Sequence, residues 1–306
     1  MIRPSLILVC WVSAALSLSA VSISLEARAE DSVKTAKAAG PKHELRYRFT
    51  KGETIRSKVV QQTKIETTIS GTSQTADMTS RSTKAWRVTD VSPEGNITFE
   101  TLIESIDMRN KMSGRQEVTY NSQTDAKPPL GYQSAAESVG KVLTKIVIDP
   151  AGKILKREKK NQVSVDNVNA QVVMPLPTGA IAVGESWTAP FDITIMLEDQ
   201  QTKVITARNR YQLDKVESGV ATISVETVLP PVNDPKIRSQ LIQRLTRGTA
   251  RFDIKSGRVV SQKTELDEQV IGFHGADSSL HYLGRFTEEL LTAEAKTAAR
   301  GRGPKE

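Results

Sequence analysis

The chain has 306 residues, 38% of them hydrophobic and 25% charged, with a formal net charge of +7. This length is sufficient for one large domain or two small ones with a buried core. The single cysteine, Cys10, lies in an N-terminal apolar segment, so the rest of the chain has no thiol, which excludes disulfides, cysteine metal sites and a cysteine nucleophile. The positive excess favours contact with anionic lipid, polysaccharide or wall polymer, and solubility explains it equally well.

Residues 1–29 have the organisation of a cleaved secretory signal. A positive start precedes an apolar run, and Ala27-Arg28-Ala29 is a small-x-small cleavage sequence, so we expect the mature chain to begin at Glu30 in the periplasm or outside the cell. A membrane anchor is the alternative, but serines interrupt the apolar run and no charged stop-transfer cluster follows it. Because Val9 precedes Cys10 very near the start, we reject lipidation.

The first half begins with long alternating segments. After a flexible lead-in over residues 30–43, the alternation in residues 45–49 predicts a first strand. A second strand is predicted over Thr54–Ile69, followed by a Ser70-Gly71-Thr72 turn and a return strand rich in threonine and serine. Arms of this length exceed the usual strand of about 5 to 6 residues, and they predict a large, twisted and bent antiparallel sheet.

A hairpin at residues 86–101 organises the first half, and a similar hairpin returns at residues 211–225. Its apolar side chains can share one face because successive side chains of a strand point to opposite sides. The residues predicted for this role are Trp86, Val88, Ile97 and Phe99 in the first copy, and Tyr211, Leu213, Ala221, Ile223 and Val225 in the second.

In the first half, a double proline at Pro128-Pro129 breaks the sheet. Ser134 and Glu137 then form a capping box, whose hydroxyl and carboxylate can satisfy free N–H groups at the start of a short helix. A hairpin follows at residues 144–156, with its turn at Asp149-Pro150-Ala151-Gly152. The apolar candidates of this hairpin are Ile146, Ile148 and Ile154.

The second half repeats this order after a polar connector with at most a short helix at residues 163–173. Val183-Gly184-Glu185 corresponds to Lys51-Gly52-Glu53, and a second double proline follows the second hairpin. Asp234 is then expected to cap a helix that Gly248 ends.

These landmarks occur in the same order in both halves and predict an internal duplication. We therefore predict a mainly β, β-rich α+β fold: a large bent antiparallel sheet or half-barrel built from two duplicated halves, each with a short helix. The halves cover about residues 44–160 and 177–291 of a single domain over residues 44–291, and residues 292–306 form a disordered basic tail. One continuous sheet and two packed subdomains both stay open at this point.

Residue types needed for catalysis do not occur in recognisable arrangements. His274 and His281, with Asp277 between them, match no metal-binding spacing, and no serine lies in a nucleophile motif. The neighbours Glu198-Asp199 and Glu288-Glu289 point to opposite faces if they lie on strands. No phosphate loop, dinucleotide fingerprint or nucleic-acid-binding array of aromatic and basic residues occurs. We predict a non-enzymatic protein without catalytic residues, metal, cofactor or nucleic-acid partner.

The inward faces of the long arms mix isoleucine and valine with the less apolar Ser57, Gln61, Thr63, Thr67, Met78, Ser80 and Ser82. This mixture is too polar for a dry core and too apolar for a free surface. It fits a partly hydrated concavity for an amphipathic ligand, and it fits equally an arm that projects into solvent. The predicted ligand-binding residues are the aromatic Trp86, Phe99, Trp187 and Tyr211, with a place in the core as the alternative.

Several short motifs together resemble a domain-of-unknown-function family of exported bacterial proteins: residues 45–49, Gly52-Glu53, Trp86-Arg87-Val88 and Asp149-Pro150-Ala151-Gly152-Lys153. The resemblance spans about residues 44–290 and implies secretion and a shared β architecture, with no catalytic residues. More loosely, a bent antiparallel sheet with helices against its inner face is similar to the half-barrel of periplasmic lipoprotein and lipid carriers. This is an analogy of fold, and fold does not establish function.

Two hypotheses for function follow, and an enzyme ranks third. The leading hypothesis is an exported envelope protein that binds a lipid, a lipidated partner or another amphipathic ligand in the hollow of the sheet, with Trp86, Trp187 and Tyr211 beside an open pocket. The alternative is a structural or interaction protein that contacts anionic envelope polymers through residues 156–160 and the basic tail. We expect a monomer.

Overall fold

The computed structural model of the chain describes residues 40–161, 173–197 and 201–291. The predicted signal over residues 1–29, the basic tail, and most of the lead-in and of the connector lie outside the described residues. Residues 198–200, which include Glu198-Asp199, also lie outside them.

The described residues form strands joined by short turns, with helices at two places. The strands of the first half are β1 (Lys42–His43), β2 (Thr54–Ile69), β3 (Thr72–Val91), β4 (Ile97–Met112), β5 (Val118–Asn121), β6 (Val142–Ile148) and β7 (Ile154–Lys159), with α1 (Gln133–Ser138) before β6. Those of the second half are β8 (Ile181–Ala182), β9 (Ser186–Met196), β10 (Thr202–Glu217), β11 (Val220–Val228), β12 (Arg247–Asp253), β13 (Arg258–Ile271) and β14 (Ser279–Leu290), with α2 (Pro235–Leu241) and a 3-10 helix (Ile242–Arg244) before β12.

All strands except the pair β1 and β8 belong to one antiparallel sheet of twelve strands. Its order is β7-β6-β4-β3-β2-β14-β13-β12-β11-β10-β9, with β5 paired to β4 beside this path. β14 pairs with β2 along its whole length, from Ser279 opposite Thr68 to Leu290 opposite Ser57. The two halves therefore join in one continuous sheet, which does not close on itself within the described residues. The prediction of a mainly β fold with one large antiparallel sheet is confirmed.

The main core lies where side chains of both halves meet: Val88, Ile97, Phe99, Ile146 and Ile148 from the first half, with Leu213, Ala221, Ile223, Val225 and Phe252 from the second. Residues 45–49 alternate between buried and more exposed positions, as predicted, but the strand predicted there is wrong. The backbone of this segment forms hydrogen bonds with one turn of each half instead of with a strand. Tyr47 N–H donates to the carbonyl of Pro150 at 2.8 Å, and Arg48 N–H donates to the carbonyl of Gly257 at 3.0 Å.

The Gly-Glu turns of the two halves make the same hydrogen bonds. These run from Gly52 N to Val88 O and from Val88 N to Glu53 O in the first half, and from Gly184 N to Leu213 O and from Leu213 N to Glu185 O in the second. Both glycines have φ near +90°, a conformation that favours glycine. The predicted correspondence of these two turns therefore extends to their backbone bonding, and it places Trp86 of β3 and Tyr211 of β10 at equivalent positions.

The helix starts differ in part from prediction. α1 follows Tyr132 and no side-chain hydrogen bond caps it, so the capping box at Ser134 is wrong, and Ser134 lies inside the helix. α2 is capped as predicted, because the Asp234 carboxylate accepts from Lys236 N–H at 2.8 Å.

Two predicted roles fail for reasons of strand packing. Gly248 does not end α2 but lies within β12, where a Cβ would stand 2.1 Å from the carbonyl oxygen of Lys263 on β13. Ile154 is 40% exposed, whereas Ile146 and Ile148 are fully buried, because Ile154 begins the edge strand β7 beside a register shift.

Candidate functional site

The four predicted ligand-binding residues form two stacked aromatic pairs. Trp86 stacks on Phe99 with 4.8 Å between ring centroids, and Trp187 stacks on Tyr211 with 5.4 Å. The strand register explains both pairs. Trp187 on β9 lies directly opposite Tyr211 on β10, and Phe99 on β4 is the diagonal cross-strand neighbour of Trp86 on β3. All four residues contact the same core cluster.

These pairs differ from an open aromatic pocket. Phe99 and Tyr211 are 0% and 2% exposed, which places them in the packed interior. The indole N–H of Trp187 donates to the carbonyl of Pro175 at 2.9 Å. Trp86 is half-buried at the end of the core and borders a small cavity.

A small cavity, here called the base recess, lies where β2 and β3 leave the core. Its lining residues are Tyr47, Phe49, Ile55, Ser57, Lys84, Trp86, Arg258, Val259 and Glu288. The cavity volume is about 30 Å³. Since one water needs about 10–15 Å³ on this measure, the recess holds a couple of waters and is too small for a whole lipid.

Charged groups of the base recess are paired with one another across strands. Lys84 Nζ lies 2.8 Å from Glu288 and 5.4 Å from the ring centroid of Trp86. Arg258 lies 3.3 Å from Glu53 and stands over the ring of Phe49. The Trp86 Nε1, by contrast, is buried and donates to no acceptor among the described residues. The charged groups at the recess are therefore balanced, and the indole N–H of Trp86 is a free, buried hydrogen-bond donor.

Tyr47 lines the base recess, and its hydroxyl group is a hydrogen-bond donor. Burial, followed by the nearby Tyr211 and Glu288, raises its pKa far above the ordinary value. Its hydroxyl donates to the carbonyl of Met174 at 2.9 Å. The phenol thus stays protonated at any physiological pH and does not serve as a base.

Beyond the recess, one side of the long strands forms what we call the arm face, the side of β2, β3, β4 and β14 that bears Trp86. Cross-strand pairs place Met78 opposite Asn110, Met108 opposite Ser80, and Met112 opposite Ala76. Met78 and Met112 are 37% and 39% exposed. The amide oxygen of Asn110, between the methionines, is buried and accepts no hydrogen bond from the described residues. The arm face therefore combines flexible apolar side chains with an unsatisfied polar atom.

Helical segments flank the arm face. Ile242 of the 3-10 helix packs with Val270 and Leu280 at the β13–β14 side. On the β4 side, Tyr132 beside α1 stacks on Tyr120 of β5, with 6.2 Å between ring centroids. The methionines lie between these two covered flanks.

A second cavity, here called the Gly284 groove, opens on the arm face beside the loop that precedes β12. Its volume is about 60 Å³, and its lining includes Gln61, Thr63, Thr264, Tyr282, Gly284 and Phe286. A Cβ on Gly284 would stand 2.7 Å from Cε1 of Tyr282, so the tyrosine ring lies over the glycine in the space that a side chain would fill. This groove is the larger of the two recesses.

The opposite side of the same strands is a charged surface of paired side chains. Arg56 contacts both carboxylate oxygens of Glu104 at 2.9 Å. His281 Nε2 lies 2.6 Å from Asp267 and its Nδ1 lies 3.4 Å from Glu66. Across the described ranges, no group of three or more histidine, cysteine or acidic residues, this one included, is arranged so that it could hold a metal ion.

The basic cluster at residues 156–160 is partly neutralised within itself. Glu158 lies 2.8 Å from Lys156 and 2.7 Å from Lys160, and these contacts lower its pKa to about 2. Arg157 lies opposite the buried Ile146, and its burial lowers its pKa. Contact of this cluster with anionic polymers stays a prediction.

Comparison with known proteins gives little beyond this geometry. No family model matches the sequence. No curated protein matches it either. The resemblance to a family of exported bacterial proteins therefore stays a prediction.

One similar solved structure is that of lipovitellin, described for its lipid–protein interactions, with 14% identity and a TM-score of 0.45. The match covers 80% of this chain but only 26% of the lipovitellin chain, so this chain spans about a quarter of its length. A likeness at this level carries no argument about function. Separately, none of the helices in the described ranges combines the length and apolarity that a membrane span requires.

Sequence reasoning located the arm face but missed the Gly284 groove. Ser57, Gln61, Thr63, Met78, Ser80 and Ser82 do lie on one face, as the alternation predicted. The signal for the groove is the spacing Tyr282-x-Gly284-x-Phe286, which puts a glycine between two aromatic residues on one side of a strand. No local sequence pattern predicts the ion pair of Lys84 with Glu288, because the two residues are far apart in the chain.

Proposed function

We propose that this protein is an exported, non-enzymatic envelope protein that binds an amphipathic ligand, a lipid or a lipidated partner, on the arm face. The observation that carries the proposal is the cluster of Met78, Met108 and Met112, two of them more than a third exposed, around the unsatisfied amide of Asn110. Methionine side chains adapt to the shape of apolar ligands, and exposed apolar groups gathered on one surface favour binding.

The mixed polarity of the arm face supports an amphipathic ligand over a purely apolar one. Ser80, Ser82 and Gln61 share this face with the methionines. Covering these groups with hydrocarbon alone would leave them without hydrogen-bond partners. A ligand that carries both an alkyl chain and polar groups avoids that cost.

The proposed binding position differs from the one that the sequence predicted. Phe99 and Tyr211 are enclosed by the core, so they serve to hold the sheet rather than to contact a ligand. Trp86 is the predicted residue that borders a recess, at the lower end of the arm face.

The remaining parts of the proposal rest on separate support. Glu288 and Glu289 point to opposite sides of β14, and Glu288 is paired with Lys84, which fits a protein without acid–base chemistry at this place.

The signal-like residues 1–29 support export. N-terminal sequencing of the protein from an envelope fraction tests export, and a start near Glu30 is expected.

The binding proposal is tested by titrating the mature chain with dodecylphosphocholine below its micelle concentration, by calorimetry at several temperatures. We expect saturable binding with a negative heat-capacity change, the mark of apolar burial. The double variant Met108→Gln/Met112→Gln should bind at least about ten-fold more weakly, since about 1.4 kcal/mol of lost apolar contact gives that factor.

The matched control is Lys111→Gln, an exposed residue on the opposite side of the same strand, which should bind as the wild type does. Absence of any binding, or equal loss in the control, overturns the proposal. Native mass spectrometry of protein purified from its own envelope, with lipid extraction, then identifies the natural ligand.

A further inference from the structure

We infer that the amphipathic ligand is a glycolipid, with a neutral sugar ring in the Gly284 groove and an alkyl chain that crosses β2 and β3 toward the methionines. This inference rests on the proposed function, and it names the chemical class of the polar end. The two features that it joins, the groove and the methionine cluster, lie on one side of one sheet.

The register of the sheet places the groove directly beside the methionines. Gly284 pairs with Thr63, Thr63 with Met78, and Met78 with Asn110, so these residues form one row across four strands. Neighbouring strands lie about 4.8 Å apart, which puts Gly284 about 10 Å from Met78. A headgroup in the groove therefore directs the chain that it bears onto the methionines.

The floor of the groove is aromatic. The ring of Tyr282 lies over Gly284, where any other residue would place a Cβ against it, and Phe286 follows on the same side of β14. A pyranose ring presents a face of C–H bonds that packs on an aromatic surface of this kind. A flexible alkyl chain has no need of an aromatic surface.

Uncharged hydrogen-bonding groups surround this floor. The amide of Gln61 and the hydroxyls of Thr63 and Tyr282 line the groove and make no side-chain hydrogen bond to other described residues. Both kinds of group can donate and accept, as sugar hydroxyls do. An alkyl chain in the groove would leave all of them unpaired, whereas a sugar satisfies them.

The charges near the groove favour a neutral headgroup over a phosphate. Arg285 and Glu265 line the groove, but they alternate with Gly284 and Leu266 along their strands, so their side chains point to the opposite side of the sheet, where they pair at 2.9 Å. Arg247 also lines the groove, and it lies 3.5 Å from Glu226. Among these residues a phosphate would therefore have no unpaired cation to bind, whereas a neutral sugar needs none.

The test compares two ligands with the same dodecyl chain, dodecyl maltoside and dodecylphosphocholine, by calorimetry on the mature chain below the micelle concentrations. We expect the maltoside to bind at least about ten-fold more tightly, because a site built to hydrogen-bond hydroxyls discriminates against a headgroup without them. The variant Thr63→Val/Tyr282→Phe should remove this preference, so that the two detergents bind with similar affinity. Thr79→Val, on the opposite side of β3, is the control and should keep the preference.

The outcomes separate the two proposals. If both detergents bind the wild type equally, the glycolipid inference is wrong and the amphipathic-ligand proposal stands. If neither binds, both are wrong. If the preference for maltoside persists in Thr63→Val/Tyr282→Phe, with folding verified by thermal unfolding, the sugar does not bind in the Gly284 groove and the inference is overturned.

Discussion

Lys84 and Glu288 form an ion pair that spans β2, with Lys84 Nζ 2.8 Å from a carboxylate oxygen. The side chains are only 26% and 17% exposed. Replacing Lys84 by Met leaves a largely buried carboxylate without its cation, and we expect the free energy of unfolding to fall by about 1–3 kcal/mol. Urea unfolding measures this loss.

The double variant Lys84→Met/Glu288→Gln serves as the control for that pair. It should regain part of the stability that Lys84→Met loses, because no unpaired charge is left. Equal stability of the single and double variants would show that the two side chains are not coupled.

The stability of the β13–β14–β2 junction should depend on the protonation of His281. Hydrogen bonds, first to Asp267 and then to Glu66, raise its pKa above the ordinary 6.5. The protonated ring is favoured in the folded chain, so its contribution is complete below about pH 6.5 and is lost as pH rises through the raised folded-state value. The side chain is 38% exposed, so solvent screens much of the effect.

Thermal unfolding at a series of pH values from about 6 to about 9 tests this dependence. The Tm of the wild type should fall across this range by more than that of His281→Gln, which has no proton to lose. Parallel curves for the two proteins would count against a role for His281.

The two helix starts should respond differently to loss of their candidate caps. Asp234→Ala removes the carboxylate that accepts from Lys236 N–H, and we expect a loss of about 1 kcal/mol. Ser134→Ala should be neutral, since Ser134 lies inside α1 and caps nothing. Chemical denaturation of both variants makes the comparison, and a loss in Ser134→Ala equal to that in Asp234→Ala would contradict it.

The close approach of β12 and β13 predicts that Gly248 tolerates no side chain. A Cβ at Gly248 would stand 2.1 Å from Lys263 O, so Gly248→Ala has to move one backbone and should cost about 1–3 kcal/mol. Gly179→Ala is the matched control, because its Cβ would meet nothing within 4 Å, and it should stay within about 0.5 kcal/mol of the wild type. Differential scanning calorimetry distinguishes them, and equal Tm values would refute the prediction.

Features with a local cause were predictable from the sequence. β2 begins and ends as predicted because alternation and the Ser70-Gly71 turn define it, and both residues of that turn have positive φ. The two Gly-Glu turns were likewise visible as a repeated motif, and they make equivalent bonds. The same alternation located the arm face before any contact across it was known.

Features set by distant partners were not predictable. Residues 45–49 alternate like a strand, yet turns at Pro150 and Gly257 take up their backbone groups. Trp86 and Tyr211 occur in equivalent hairpins, but Trp86 is half-buried beside the base recess, whereas Tyr211 is buried in the core. The Gly284 groove depends on β14 lying against β2, a pairing between the two ends of the domain.

That pairing has a consequence for the order of assembly. β14 is the last strand in sequence among the described residues, yet it lies in the interior of the sheet with β13 on one side and β2 on the other. A chain that emerges with its N-terminus first must keep the β2 edge unpaired until Ser279–Leu290 has arrived, and an unpaired strand edge invites association with other chains. Folding of the sheet can therefore be completed only after β14 has been released. Early release of the nascent chain, or truncation before β14, leaves two half-sheets with exposed edges.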